Sequence, residues 1–225
     1  MFPVSLTPDA NGLAFIGGDL ALETITEAYG RGLFPWRGGK NIPWYLPAER
    51  AVLQPGAMHV AHRLAKRAAR GELTVAFDRD ARGAQLRCAT TPRAHEKGTW
   101  ITPDMVAAYD VLRERGIAHS VEIYREGEPV GGLYGLTFGR LFHGESMYFR
   151  EPDASKLALW ALSEALAARG FALIDCQGAT PHLLSLGAKV WPSARYLEAL
   201  TLNRTAPSLH ESWRDWTVTC LPARS

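Results

Sequence analysis

The chain has 225 residues, of which 47% are hydrophobic. That is enough for one domain of ordinary size, or a main domain with a small appendage, and too apolar for wholesale disorder. The net charge is only +2, so no partner follows from overall charge, and any charged surface has to be local. Cys88, Cys176 and Cys220 are odd in number and far apart, which argues against a disulfide framework and against a cysteine-based zinc site. Met1-Phe-Pro-Val-Ser-Leu6 lacks a basic region followed by an apolar run, and no apolar stretch approaches membrane-spanning length. A soluble, reducing, cytoplasmic setting with no membrane partner is expected.

The first 48 residues are rich in Gly, Pro and Trp. Leu22, Ile25 and Tyr29 recur at helical spacing and predict one short helix there. The loop Gly30-Arg-Gly-Leu-Phe-Pro-Trp36 and the segment Ile42-Pro-Trp-Tyr-Leu-Pro47 complete a small cap domain, residues 1–48, ahead of a main domain, residues 49–225. In the main domain Ala51 to Leu53 reads as a strand, His59 to Arg70 as a helix ended by Gly71, Leu73 to Phe77 as a strand and Ala81 to Cys88 as a helix. Thr102-Pro-Asp104 opens a helix through Arg115, with Gly116 at its end. His119 to Tyr124, Pro129 to Phe138 and Leu141 to Tyr148 read as successive strands, joined by hairpin turns at Arg125-Glu-Gly-Glu128 and Gly139-Arg140. Asp153 is expected to cap a helix from Ala154 to Arg169. A strand from Phe171 to Gln177, a short helix from Pro181 to Leu186, a strand from Lys189 to Trp191 and a helix from Ala194 to Leu202 follow. The tail after Asn203 has little period and reads as loosely packed. A meander, a long helix, a strand and a further helix make an α+β sandwich, an order that suits an acyltransferase domain of the N-acetyltransferase superfamily type.

The segment Phe171-Ala-Leu-Ile-Asp-Cys-Gln177 puts an acid and an amide into an apolar run. Alternation places Asp175 and Gln177 on one face. Such a pair, buried, must bond to itself or to a ligand, and it can orient an amine without being a strong base; a satisfied pair that closes the strand is the competing reading. Arg63, Lys66, Arg67 and Arg70 fall at i, i+3, i+4 and i+7 with no acid among them, which reads as a footprint for phosphates rather than as a solvated basic face. Trp36, Trp44, Tyr45 and Trp100 sit in Gly/Pro-rich loops, suited to stacking on an unpaired base or to stapling the cap to the core. Glu145 ends a half-buried strand, where an acid needs an ion pair or a cationic ligand, and Leu133 and Met147 are placed to line an apolar pocket near it. Leu159, Leu162 and Leu166 share a helical face that is core by default. The junction Arg150-Glu-Pro-Asp-Ala-Ser-Lys156 has no glycine and two acids, a poor cradle for a pyrophosphate.

Several motifs occur in order between Asn11 and Leu200. They are Asn11-Gly-Leu-Ala14, Gly17-Gly-Asp-Leu20, Arg31-Gly-Leu-Phe-Pro-Trp36, Gly98-Thr-Trp-Ile-Thr102, Val130-Gly-Gly-Leu-Tyr-Gly135, Gly144-Glu-Ser-Met147 and Ile174-Asp-Cys-Gln177. Together they resemble the leucyl/phenylalanyl-tRNA–protein transferases. The resemblance implies a cytoplasmic enzyme, a monomer without a cofactor, that moves leucine, phenylalanine or, less well, methionine from aminoacyl-tRNA to proteins beginning with Arg or Lys, marking them for degradation. It implies that Trp36 and Trp100 hold the terminal adenosine. It also implies that Leu133, Met147, Leu159, Leu162, Leu166 and Ile174 line the side-chain pocket, that Glu145, Asp175 and Gln177 surround the reacting amines, and that the basic helix meets the acceptor stem. The chain departs from the family pattern at Tyr148-Phe149, at Leu162 and Leu166 where phenylalanines are frequent, and at Val60-Ala-His62. In the expected mechanism Asp175 holds Gln177, whose carbonyl accepts a proton of the incoming α-amine, and Glu145 helps hold a cationic group. The alternatives are a coenzyme A-dependent N-acetyltransferase and a non-catalytic RNA-binding module.

Overall fold

Proline and glycine keep the first elements short. The computed structural model describes residues 2–36, 38–91, 99–206 and 212–221. It places β1 (Leu13–Ile16), α1 (Leu22–Gly30), β2 (Phe34–Pro35) and β3 (Pro43–Tyr45) in the N-terminal part, with a three-stranded antiparallel sheet in the order β1-β3-β2. There follow β4 (Glu49–Leu53), α2 (His62–Ala68), β5 (Thr74–Phe77), α3 (Ala81–Thr90), α4 (Pro103–Glu114), β6 (Ala118–Arg125), β7 (Glu128–Phe138) and β8 (Leu141–Phe149). The last elements are α5 (Ala154–Ala168), β9 (Leu173–Gln177), α6 (Pro181–Ser185), β10 (Lys189–Pro192) and α7 (Ser193–Asn203). The main sheet runs β10-β4-β9-β8-β7-β6-β5. All its pairs are antiparallel except β8 with β9, which α5 connects.

This is a mixed α+β fold. The small sheet gives way to the large one between Tyr45 and Glu49, yet the two parts share one apolar cluster. Phe2, Ile25, Tyr29 and Trp44 pack in it with Met105, Tyr109, Leu136 and Tyr148. The opposite face of the sheet is covered by α5, whose Leu157, Leu159, Leu162 and Leu166 are buried against Val121, Leu133, Phe142 and Ile174. Close approach is built in at Gly131, where a Cβ would stand 2.5 Å from the Cβ of Ala154 at the start of α5. No helix among the described residues is long and apolar enough to cross a membrane.

The structure differs from the sequence reading in three places. First, α2 starts at His62, not His59, because the His59 backbone N–H donates to the Leu186 carbonyl (2.9 Å) and holds residues 59–61 extended beside α6; Arg70 lies beyond the helix end. Second, Asp153 does not cap α5 with its side chain: it is left-handed (φ 64°), and its carboxylate takes Lys156 (2.8 Å) and Arg63 (3.2 Å). Third, the tail is anchored through residues 212–221, the rest of it after Ala206 lying outside the described residues. Trp213 is fully buried, stacks on His119 (3.8 Å, 2°) and on Trp216 (4.1 Å, 12°), and gives its backbone N–H to Asp78 (2.9 Å). Aromatic burial of this kind needs no periodicity, so a search for period does not see it.

The parallel pair positions the site. Leu141, Phe142 and His143 are registered against Leu173, Ile174 and Asp175, and the pairing stops there. Beyond it, Gly144 to Phe149 and Cys176 to Gln177 part company, and a crevice opens between β8 and β9 on the α5 face.

Candidate active site

A pocket of about 260 Å³ fills that crevice. Leu133, Met147, Leu159, Leu162, Phe142 and Ile174 form its apolar part, with Gly144, Ser146 and Cys176; Glu145 and Gln177 stand in it, and Thr180, His182 and Leu183 supply a wall around α6. Of the residues singled out in sequence, Leu133, Met147, Leu159, Leu162, Ile174, Glu145 and Gln177 therefore meet here. Leu166 does not: it is fully buried in the core under α5. Phe142, Cys176, Thr180, His182 and Leu183 are pocket residues that sequence reasoning missed. They fall in ordinary strand, loop and short-helix patterns, and only the parting of β8 from β9 beside α6 brings them to one pocket.

Glu145 is placed by a β-bulge. The β7–β8 register shifts between Tyr134 and Gly135, which face Ser146 and Gly144, so Glu145 has no partner across the ladder. A bulged residue is re-aimed relative to its neighbours. The carboxylate accepts from Tyr29 Oη (2.7 Å), Tyr109 Oη (2.9 Å) and Gln177 Nε2 (3.3 Å). Burial pushes its pKa up to about 7 despite the two tyrosine hydroxyls, which pull it down. Tyr29 reads in sequence only as an apolar helix position, and Tyr109 falls inside the helix expected from Thr102 to Arg115 with nothing to single it out.

Asp175 does not face the pocket, contrary to the expectation that it surrounds the amines with Gln177. Its side chain is fully buried and accepts from Arg50 Nε (2.8 Å) and Nη2 (2.7 Å), pairs with His143 Nδ1 (3.0 Å), and accepts from Tyr196 Oη (3.0 Å). Burial opposes its ionisation, but the Arg50 guanidinium and the hydrogen bond with His143 hold the carboxyl well below the usual range. Arg50 in turn lies over the rings of Phe34 (4.7 Å) and Tyr196 (4.6 Å), joining the N-terminal sheet to the main one.

The separation of Asp175 from Gln177 has a backbone cause. Gln177 is left-handed (φ 60°), and β9 carries an extra residue opposite β4 between Ala51 and Val52. Strand alternation fails at such a bulge, so the two side chains part. Asp175 still holds Gln177, but through the backbone: Oδ1 accepts the Gln177 N–H at 2.8 Å. The Gln177 amide points its NH2 group at Glu145, because a carboxylate only accepts. That leaves the amide oxygen without a donor among the described residues, an acceptor on the far side of the plane.

The basic stripe is partly neutralised by acids from the β8–α5 junction. Arg67 pairs with Glu151 (2.6 Å) and the exposed Arg63 with Asp153 (3.2 Å), whereas Lys66 and Arg70 are exposed and pair with no acid among the described residues. All four bases line one surface hollow of about 250 Å³ with Pro152 and Asp153. Neither Trp36 nor Trp100 lines the central pocket. Trp36 is 51% exposed beside Tyr45 (5.6 Å), and Trp100 packs half-buried against the N-terminal cluster. Their loops are joined, since Gly39 N–H donates to Asp104 Oδ2 (2.8 Å) at the start of α4. Gly98, at the start of the Trp100 motif, lies outside the described residues.

Among solved structures, the chain resembles a GCN5-related N-acetyltransferase from Kribbella flavida at 15% identity and a TM-score of 0.40; the match covers 65% of this chain and about half, 54%, of that one. The family description "Leucyl/phenylalanyl-tRNA protein transferase" matches residues 52–201. A leucyl/phenylalanyl-tRNA–protein transferase from Myxococcus xanthus is 44% identical over 96% of this chain and 92% of its own length. One from Pseudomonas entomophila is 49% identical over 89% of this chain and 88% of its own. The chain belongs to the leucyl/phenylalanyl-tRNA–protein transferase family.

Proposed function

We propose that the protein transfers leucine, phenylalanine and, less readily, methionine from aminoacyl-tRNA to the N-terminal α-amine of proteins beginning with Arg or Lys, in the cytoplasm, as a monomer without a cofactor, and that the product is marked for degradation. The observation that carries this reading is the open apolar pocket ending at Glu145 and Gln177, in a chain with these relatives. The pocket takes an unbranched-β side chain; its walls of Leu, Met and Ile disfavour valine and isoleucine by shape, a preference of about 1–3 kcal/mol.

Aminolysis of an ester is downhill, and an N-terminal amine of pKa about 8 is partly neutral near pH 7. The site therefore has to position rather than to abstract a proton strongly. Asp175 fixes the Gln177 backbone, Glu145 fixes its amide plane, and the free amide oxygen accepts a hydrogen bond from the incoming amine. Trp36 and Trp100 hold the terminal adenosine from two joined loops. A coenzyme A-dependent reading is disfavoured by the α5 N-terminus, where Glu151 and Asp153 already occupy the arginines that a pyrophosphate would need. Incubation with labelled leucyl-tRNA and an N-terminal-arginine peptide tests the reaction: labelled peptide is expected, and acetylation from acetyl-coenzyme A in its place would replace this reading.

Arg67 is held by Glu151 and Arg63, though exposed, is paired with Asp153, so the acceptor-stem contact falls first to Lys66 and Arg70, which pair with no acid among the described residues. The double change Lys66→Glu and Arg70→Glu is expected to weaken tRNA binding for all sequences. It should also lower the slope of log affinity against log salt by about 1–2. Filter binding over a salt series measures both, and an unchanged slope removes this face from the interface.

A further inference from the structure

Forming an amide from an ester and an amine moves one proton from the attacking nitrogen to the departing ribose oxygen. The acids nearest the pocket are poorly placed to carry it. Asp175 is fully buried and bound to Arg50, His143 and Tyr196. Glu145 accepts from two tyrosine hydroxyls and from Gln177. The Cys176 thiol is pushed up to about 12 by burial and by the charge of Asp175, so it stays protonated.

His182 is placed differently. It lines the same pocket from the first turn of α6, together with Gln177 and Thr180. Its ring is exposed at the pocket mouth, and among the described residues its nitrogens take no hydrogen bond. Lys156 on α5 is the charge that bears on it, and Cys176 and Gln177 of β9 and Glu145 of β8 line the same pocket. Partial desolvation and the positive charge of Lys156 lower its pKa from the ordinary imidazole value, so the ring is neutral near pH 7 and able to take a proton.

We propose that His182 is a catalytic residue of the transfer. Its imidazole takes a proton from the amine nitrogen as the N–C bond forms, and delivers it to the ribose oxygen as the C–O bond breaks. The imidazole ends neutral, and the products are an amide and a free ribose hydroxyl. Gln177 keeps the other amine hydrogen in its hydrogen bond, so the two residues divide orientation from proton transfer. The assignment rests on the aminoacyl-transfer reading above.

The test compares the wild type, His182→Ala and His182→Gln with labelled leucyl-tRNA and an N-terminal-arginine peptide. Both variants should bind leucyl-tRNA with the wild-type Kd and lose about 100-fold in kcat, within the usual range for a general acid–base group. Added imidazole should restore much of the loss in His182→Ala and none in Gln177→Ala. Variants with kcat within twofold of wild type, or a loss that imidazole leaves untouched, would overturn the assignment. A wild-type protein that labels no peptide would instead overturn the transferase reading itself, and this assignment with it.

Discussion

Arg50→Met is expected to destabilise the fold by about 3–5 kcal/mol, the usual cost of stranding one partner of a buried ion pair. Both side chains are fully buried, and the guanidinium meets Asp175 through two nitrogens at 2.8 and 2.7 Å. Methionine roughly keeps the volume but leaves the carboxylate with only His143, Tyr196 and a backbone N–H. The sign with pH follows from which influence remains. In the wild type the Asp175 carboxyl is depressed in the fold, so its stabilising contribution is present above the unfolded value of about 3.8 and is lost as pH falls through the folded value. In the variant burial dominates and the folded carboxyl is raised, so stability is lost as pH rises. Urea unfolding should therefore show a larger deficit at pH 8 than at pH 5. Adding Asp175→Leu should recover most of the deficit, a strongly non-additive pair. A single variant within 1 kcal/mol of wild type at pH 8 would sink this account of the network.

The same pair shows how far the sequence carries. An acid in the apolar run up to Gln177 signalled that a partner had to exist. Nothing local named it, since Arg50 lies 125 residues away at the start of an unremarkable strand. Strand alternation, which gave most of the sheet, failed at Gln177 because one left-handed residue breaks the period of two. Helical spacing likewise put the basic residues on one side of α2, but the absence of acids inside that helix was a poor guide to its charge. Glu151 and Asp153 arrive from 84 and 90 residues away. Leu133 and Met147 were legible as pocket residues from their place near Glu145, and Leu159, Leu162 and Ile174 through resemblance, whereas Leu166, one turn further along α5, lies behind the crevice. Tyr29 and Tyr109 were out of reach altogether, for each is an ordinary apolar helix position until it is seen to end on Glu145, 116 and 36 residues away.

That carboxylate leads to the second large effect: Glu145→Gln is expected to lower turnover about 100-fold while leaving the protein folded. An ionised Glu145 accepts only, so it can receive Tyr29, Tyr109 and the Gln177 NH2 at once, and Gln177 must turn its oxygen toward the amine. A glutamine at this position offers an NH2 group of its own. Gln177 can then bond to it through oxygen and present NH2 to the substrate, and two donors repel. Proton uptake by the wild-type carboxyl removes the same constraint, so turnover should fall as pH drops through about 7. Protonation of the acceptor amine acts in the same direction, and an acceptor peptide with a less basic α-amine separates the two by leaving only the Glu145 limb. Stability should move the other way. The folded Glu145 carboxyl lies above its unfolded value of about 4.5, so its contribution is fully present below that value and is lost as pH rises through about 7. At pH 8 the glutamine variant should then melt at or above the wild-type Tm while being the slower enzyme. Equal turnover in Glu145→Gln, or a variant that is both slow and markedly less stable at pH 8, would show that the carboxylate holds the fold rather than the plane of Gln177.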